Sequence, residues 1–144
     1  MANGDLGTDQ YRALAELRYQ IRRFLTFSED AARAANIEPQ QHQLLLVLKA
    51  LRAPEKPTVR TVAARILIQH NSAVELVKRS VDQGLVDRGT SKLDRREASL
   101  RITPAGKRVL KRLSLAHRRE LRSAAPLLLE ALNSLRVRPP RRSP

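Results

Sequence analysis

The sequence predicts a mainly α-helical chain with one small β-hairpin, and three observations carry that prediction. Residues 58–84 hold a short helical pattern, a tight turn and a longer helical pattern in succession. Two alternating runs, LVDRGT and ASLRIT, flank the charged heptapeptide SKLDRRE at 91–97. Long apolar-periodic stretches lie on both sides of this block. The 144 residues suit one domain, and 42% hydrophobic residues with only 3% aromatics make its core aliphatic.

Composition removes several function classes. With no cysteine there are no disulfides and no thiolate metal sites. His42, His70 and His117 show no ligand spacing, so neither a metal nor a cofactor is expected. No apolar run reaches the length of a membrane span, so no membrane partner is expected. MANGDLGTDQ lacks the basic and apolar regions of a signal peptide, and the expected location is cytoplasmic. No nucleophile–base pair, paired carboxylates or phosphate-binding glycine loop is recognisable, so an enzyme is not expected. The net charge of +14 favours a polyanionic partner. It is +1 over residues 1–59, +4 over 60–101, +5 over 102–135 and +4 over 136–144.

Residues 1–7 are polar and glycine-rich, and are expected to be flexible. A long helix begins at Thr8 or Asp9, either of which can cap it. Its apolar seam is Leu14, Leu17, Ile21, Phe24, Ser28, Ala31 and Ala35, with Leu25 and Phe27 widening it. A seam this long needs a partner along most of its length, and a second copy of the chain is expected to supply part of it. NIEPQQHQLLLVLKAL is the next helix, with Pro39 in its first turn and Leu44 to Leu48 apolar all round, hence buried on most sides. APEKP breaks the chain.

Thr58 caps the following short helix, whose stripe is Val59, Val62, Ala63 and Ile66. After the turn LIQH, His70 or Asn71 caps a longer helix with Val74, Val77 and Val81 as its buried face and Leu76 beside it. Gly84 ends it. Helix, tight turn and helix make a helix-turn-helix, and the hairpin after it makes the unit a winged helix. Thr103 caps a basic helix with Pro104 at its first position; its apolar positions include Val109, Leu110 and Leu113. Ser123 then caps a last helix, APLLLEALNSL, with Pro126 in its first turn. VRPPRRSP cannot fold.

In a helix-turn-helix the second helix enters the DNA major groove N-terminal end first. Gln69, His70, Asn71, Ser72 and Glu75 are the candidates for base edges there, and capping is the plain alternative for Asn71 and Ser72. Lys78 and Arg79 lie a turn later and are candidates for phosphates, as are Arg60 and Arg65 on the first helix.

DRREASLRITPAGKRVL resembles the wing and following helix of the MarR family of bacterial transcriptional regulators. The matching residues are Asp94 and Arg96, then Ile102-Thr103-Pro104-Ala105-Gly106, with Ile where the family has Leu. NSAVELVKRSVDQGLVDR is similar to that family's recognition helix and its exit. The similarity covers about residues 10 to 135. It departs at the turn, where many members carry Gly and this chain reads Leu67-Ile68-Gln69-His70.

The resemblance implies a homodimer, with dimerisation helices at 8–36 and 104–135 around a DNA-binding winged helix at 37–103. The whole of 8–135 is then one domain, followed by a basic tail at 136–144. Two-fold symmetry implies a near-palindromic double-stranded DNA site. The cations Lys92, Arg95 and Arg96 of the wing are then expected over the DNA backbone and minor groove, with Asp94 holding Arg96 in one rotamer. Many members also bind a small, often aromatic, ligand between dimer platform and reading head. Tyr19, Arg22, Arg23, Phe27 and His42 are candidates for it by location. A sequence-specific regulator, as a repressor, is the expected function. A nonspecific nucleoid-type architectural protein is the alternative, and a protein-interaction adaptor on the same scaffold is a third.

Overall fold

The structure is a computed structural model and describes residues 4–89 and 99–136. Its elements in chain order are α1 (Thr8–Ala34), α2 (Pro39–Ala50), α3 (Val59–Ile66), α4 (His70–Asp82), β1 (Val86–Gly89), β2 (Ser99–Ile102) and α5 (Pro104–Leu135). The mainly helical class with a two-stranded hairpin is as predicted. The chain divides into two compact units, one of residues 29–116 and one of 1–28 with 117–144.

The 29–116 unit is the winged helix. Asn36, at φ 61, closes α1 in the left-handed conformation that Asn tolerates better than most residues. Pro39 opens α2, and the Gln41 side chain reaches back to accept the Glu38 N–H at 2.9 Å. Thr58 caps α3 by accepting from the Thr61 N–H. The Pro57 carbonyl, just before it, accepts the Leu100 N–H at 2.7 Å, which ties the start of α3 to the hairpin. Leu44, Leu45, Val62, Leu76, Val77 and Leu100 form the centre of an aliphatic core.

Gly84 ends α4 at φ 73. Its N–H bonds to the Val81 carbonyl and the Leu85 N–H to that of Ser80, which together make a Schellman close. β1 and β2 pair antiparallel, Val86 with Ile102 and Gly89 with Ser99. Thr103 caps α5 by accepting the Gly106 N–H at 3.0 Å and donates to the Gly84 carbonyl at 2.6 Å. Gly106 is required by close approach: a Cβ there would run into the Leu85 carbonyl oxygen and lie 2.9 Å from Ile102 Cγ2.

Several expectations are corrected. Gly7, not Thr8 or Asp9, is the residue before α1, and its carbonyl accepts the Tyr11 N–H. Gln69, not His70 or Asn71, stands at the N-cap of α4, and its side chain makes no cap bond. The buried face of α4 is Ala73, Leu76, Val77 and Ser80; Val74 and Val81 lie at its edges. Ser80 is usable there because its hydroxyl donates to the Leu76 carbonyl. Leu46, taken with its neighbours as buried, is 48% exposed, whereas Leu44 and Leu45 are fully buried and Val47 and Leu48 pack against the core. Finally, 104–135 is one helix, with Pro126 inside it and no cap at Ser123. A proline deletes one backbone bond, and the helix formers on both sides of this one carry the backbone through.

Leu67 ends α3 at φ 58 and is 90% exposed. It opens the Leu67–His70 turn, where the sequence departs from the resembling family. A leucine in the left-handed region costs more than glycine does. Leu67→Gly is therefore expected to stabilise the chain by about 0.5–1 kcal/mol and raise the thermal midpoint by a few degrees. A lowered midpoint would contradict the strain.

In the 1–28 and 117–144 unit, His117 is the organising side chain. Its Nε2 is 2.8 Å from Ser28 Oγ, and Phe24 and Phe27 meet its ring edge-on at 5.8 and 5.3 Å. Ala13, Gln20 and Ala131 are buried. Along the seam read from the sequence, Leu17, Phe24 and Ser28 are partly covered, whereas Leu14 and Ile21 are exposed.

Candidate nucleic-acid interface

The reading end of α4 is built by its neighbours. α3 and the turn at Leu67 set its start, and Ala73, Leu76, Val77 and Ser80 anchor its inner face. The opposite face then points outward: Gln69, His70, Asn71, Ser72, Glu75, Lys78 and Arg79 are all exposed. Asn71, Glu75 and Lys78 fall on one line along it. The side chains of Asn71 and Ser72 make no hydrogen bond with any described residue, so they are not used for capping. Four N–H groups at a helix start also present positive potential outward.

The candidate phosphate cations differ in how free they are. Lys78 Nζ is 3.3 Å from Glu75. Arg79 Nε donates to Glu38 at 2.9 Å, across from the start of α2. Arg65 is paired with Glu55, its Nε donating at 3.1 Å, and this bond holds the Glu55 carboxyl below its ordinary pKa. These pairs are exposed, and exposed pairs yield readily to a phosphate. Arg60 is exposed and unpaired among the described residues. On the hairpin, Arg88 and Arg101 are exposed on β1 and β2. Sequence reasoning did not single these two out; the alternation that buries Leu100 already placed Arg101 on the outward side. Lys92, Asp94, Arg95 and Arg96, and the tail after Arg136, lie outside the described residues.

The candidate ligand residues are not gathered by anything within one unit. Tyr19, Arg22 and Arg23 are exposed on α1, with the Arg23 guanidinium 6.0 Å from the Tyr19 ring centre. Phe27 packs on His117. His42 is buried on α2 in the other unit.

The model of the MarR family matches residues 35–97, a span that holds α2, α3, α4 and β1. AbsC, a MarR family transcriptional regulator from Streptomyces coelicolor, superposes with TM-score 0.72 at 17% identity, covering 92% of this chain and 90% of its own. A Staphylococcus aureus MepR mutant bound to an oligodeoxyribonucleotide gives TM-score 0.64 at 15% identity, over 83% and 94% of the two chains. The fold is that of the MarR family. Staphylococcus aureus MarR, in a complex with salicylate and kanamycin, gives TM-score 0.63 at 20% identity, covering 78% of each chain. No curated protein matches the chain by sequence. In the MarR fold, the Ile102–Gly106 motif has a physical reason here: Thr103 caps α5, and only glycine at 106 clears Leu85.

Proposed function

We propose that the chain is a sequence-specific, double-stranded DNA-binding transcriptional regulator, acting as a repressor and binding a near-palindromic operator as a homodimer. The observation that carries this reading is the pair of exposed polar side chains of Asn71 and Ser72, which bond to no described residue, at the start of α4 on a winged helix-turn-helix. Asn and Ser side chains there match base edges of the major groove. Lys78, Arg60 and, after exchange of their carboxylate partners, Arg65 and Arg79 take phosphates. Arg88 and Arg101 carry the positive charge along the hairpin toward the wing, whose Lys92, Arg95 and Arg96 are assigned to the minor-groove side, with Asp94 orienting Arg96. The MepR mutant complex with an oligodeoxyribonucleotide supports the assignment through the shared fold.

Dimerisation is supported by what one chain leaves uncovered. Leu14, Ile21 and Leu25 of α1 and Leu127, Leu129 and Leu132 of α5 are exposed. Exposed apolar side chains on this scale mark an association surface. Light scattering at micromolar concentration is expected to give about twice the chain mass of 16.3 kDa. Ile21→Glu with Leu25→Glu is expected to give monomers. A monomer mass for the unaltered chain would contradict the dimer.

Selection of bound duplexes from a random pool tests the function. It is expected to return an inverted repeat with half-sites about one helical turn apart. No enriched motif would favour the nucleoid-type reading, which the +14 charge also fits. A small aromatic carboxylate is the proposed effector class, with the stacked Arg23 and Tyr19 as its first contacts. Salicylate in the Staphylococcus aureus MarR structure is the supporting parallel.

A further inference from the structure

α5 carries a second basic surface that the reading of operator DNA does not use. Lys107, Arg108, Lys111, Arg112, Arg118, Arg119 and Arg122 are all exposed, and none is in an ion pair with a described residue. Helical geometry puts Lys107, Lys111, Arg118 and Arg122 on one strip, bordered by Arg108, Arg112 and Arg119 and opposite the buried Leu110 and Leu113. The strip is about 22 Å long.

Local stability does not explain this arrangement. The pairs 107/111, 108/112 and 118/122 set like charges one turn apart, which weakens a helix. The first turn of α5 has no acidic residue, and the nearest charges are cations at its positive end. A pattern that breaks local rules with no compensating contact marks a functional surface.

Its position separates it from the operator contact. α5 begins where α4 ends, at the bond from Thr103 to Gly84, whereas the reading residues sit at the other end of that 13-residue helix. The start of α5 is about 20 Å from those reading residues. We infer that the basic face of α5 is a second docking surface for duplex DNA, taking the phosphate backbone of DNA that flanks the operator. Charge complementarity selects a polyanion. The strip holds no aromatic residue for stacking, which argues against single strands. Leu115 and Leu121 are the large exposed apolar side chains between these cations, too few for a helix that lies in a lipid interface. Flanking duplex is present at high effective concentration once the operator is held.

This inference rests on the proposed operator reading, and the test keeps the two apart. The full chain and its Lys107→Gln, Lys111→Gln, Arg118→Gln, Arg122→Gln variant are titrated with the selected operator in a duplex of about 25 base pairs and in one of about 75, since two half-sites span about two turns. The variant is expected to lose tenfold or more on the long duplex and nothing on the short one. Its salt slope on the long duplex should fall by about 3–4, since each phosphate contact contributes about 0.9. Its thermal midpoint should equal or exceed that of the parent, because like-charge pairs have been relieved. The charge-keeping variant Lys107→Arg, Lys111→Arg should behave as the parent on both duplexes. Equal loss on both lengths, or loss on neither, overturns the inference. So does parent binding to phosphatidylserine vesicles that the glutamines abolish while both duplex affinities stay unchanged. Failure of operator reading shows differently: the parent would not distinguish operator from scrambled sequence in the short duplex, whatever the length effect.

Discussion

Asn71→Ala is expected to lower affinity for the selected operator by about ten- to a hundredfold, the value of one base contact of about 1–3 kcal/mol, and to leave random-sequence DNA almost unaffected. The position of Asn71 makes the experiment clean. It is the second residue of α4, after Gln69 at the cap and His70, and its side chain bonds to no described residue. Truncation therefore removes no cap, and folding stability should stay within about 0.5 kcal/mol of the parent. Equal losses on both DNAs would show that Asn71 supports the helix or touches only backbone. Lys78→Gln is the contrasting variant: it should weaken both DNAs together and reduce the salt slope by about one. Competition binding at two salt concentrations reads all of these values.

Gly106→Ala is expected to destabilise the fold by about 3 kcal/mol, at the upper end of overpacking effects. The obstacle is the Leu85 carbonyl, which is backbone and cannot turn aside as a side chain would. The same Leu85 carbonyl accepts the Thr103 N–H at 3.1 Å, so a shift that makes room breaks the joint between α4, the hairpin and α5. Thermal unfolding should show the loss as a fall of about 10 °C. A change of a degree or two would mean that the joint is looser than its geometry. Gly84→Ala, by comparison, meets no neighbouring atom and suffers only from its φ of 73, so a smaller effect is expected.

Much of this architecture was legible because its signals are local. Thr58 before an apolar stripe, Gly84 after one, and Thr103-Pro104 followed by Gly106 each satisfy a backbone need within a few residues, and each stands where the sequence placed it. The start of α4 was less legible: Gln69, His70, Asn71 and Ser72 offer competing caps within one turn, and the fixed turn at Leu67 decides between them. Ser123 and Pro126 imitate a helix start, yet α5 continues through them as one helix of 32 residues.

The pairings of the candidate site were the least legible part. Arg79 meets Glu38 across 41 positions and Arg65 meets Glu55 across 10, and neither spacing leaves a trace in helical periodicity. The sequence therefore marked these arginines as cations for phosphate without showing that a carboxylate already holds each. The exposure of Asn71 and Ser72 followed from periodicity, but their freedom from capping did not. That distinction turns two ambiguous polar residues into the proposed reading pair.

Specific recognition is tested most directly by one equilibrium competition at physiological salt, in which the full chain partitions between the selected operator and a random duplex of equal length. A regulator that reads bases through α4 gives a ratio of at least about a thousand in favour of the operator. A ratio near one, with tight binding to both, would contradict that reading and match a protein that coats DNA by charge alone.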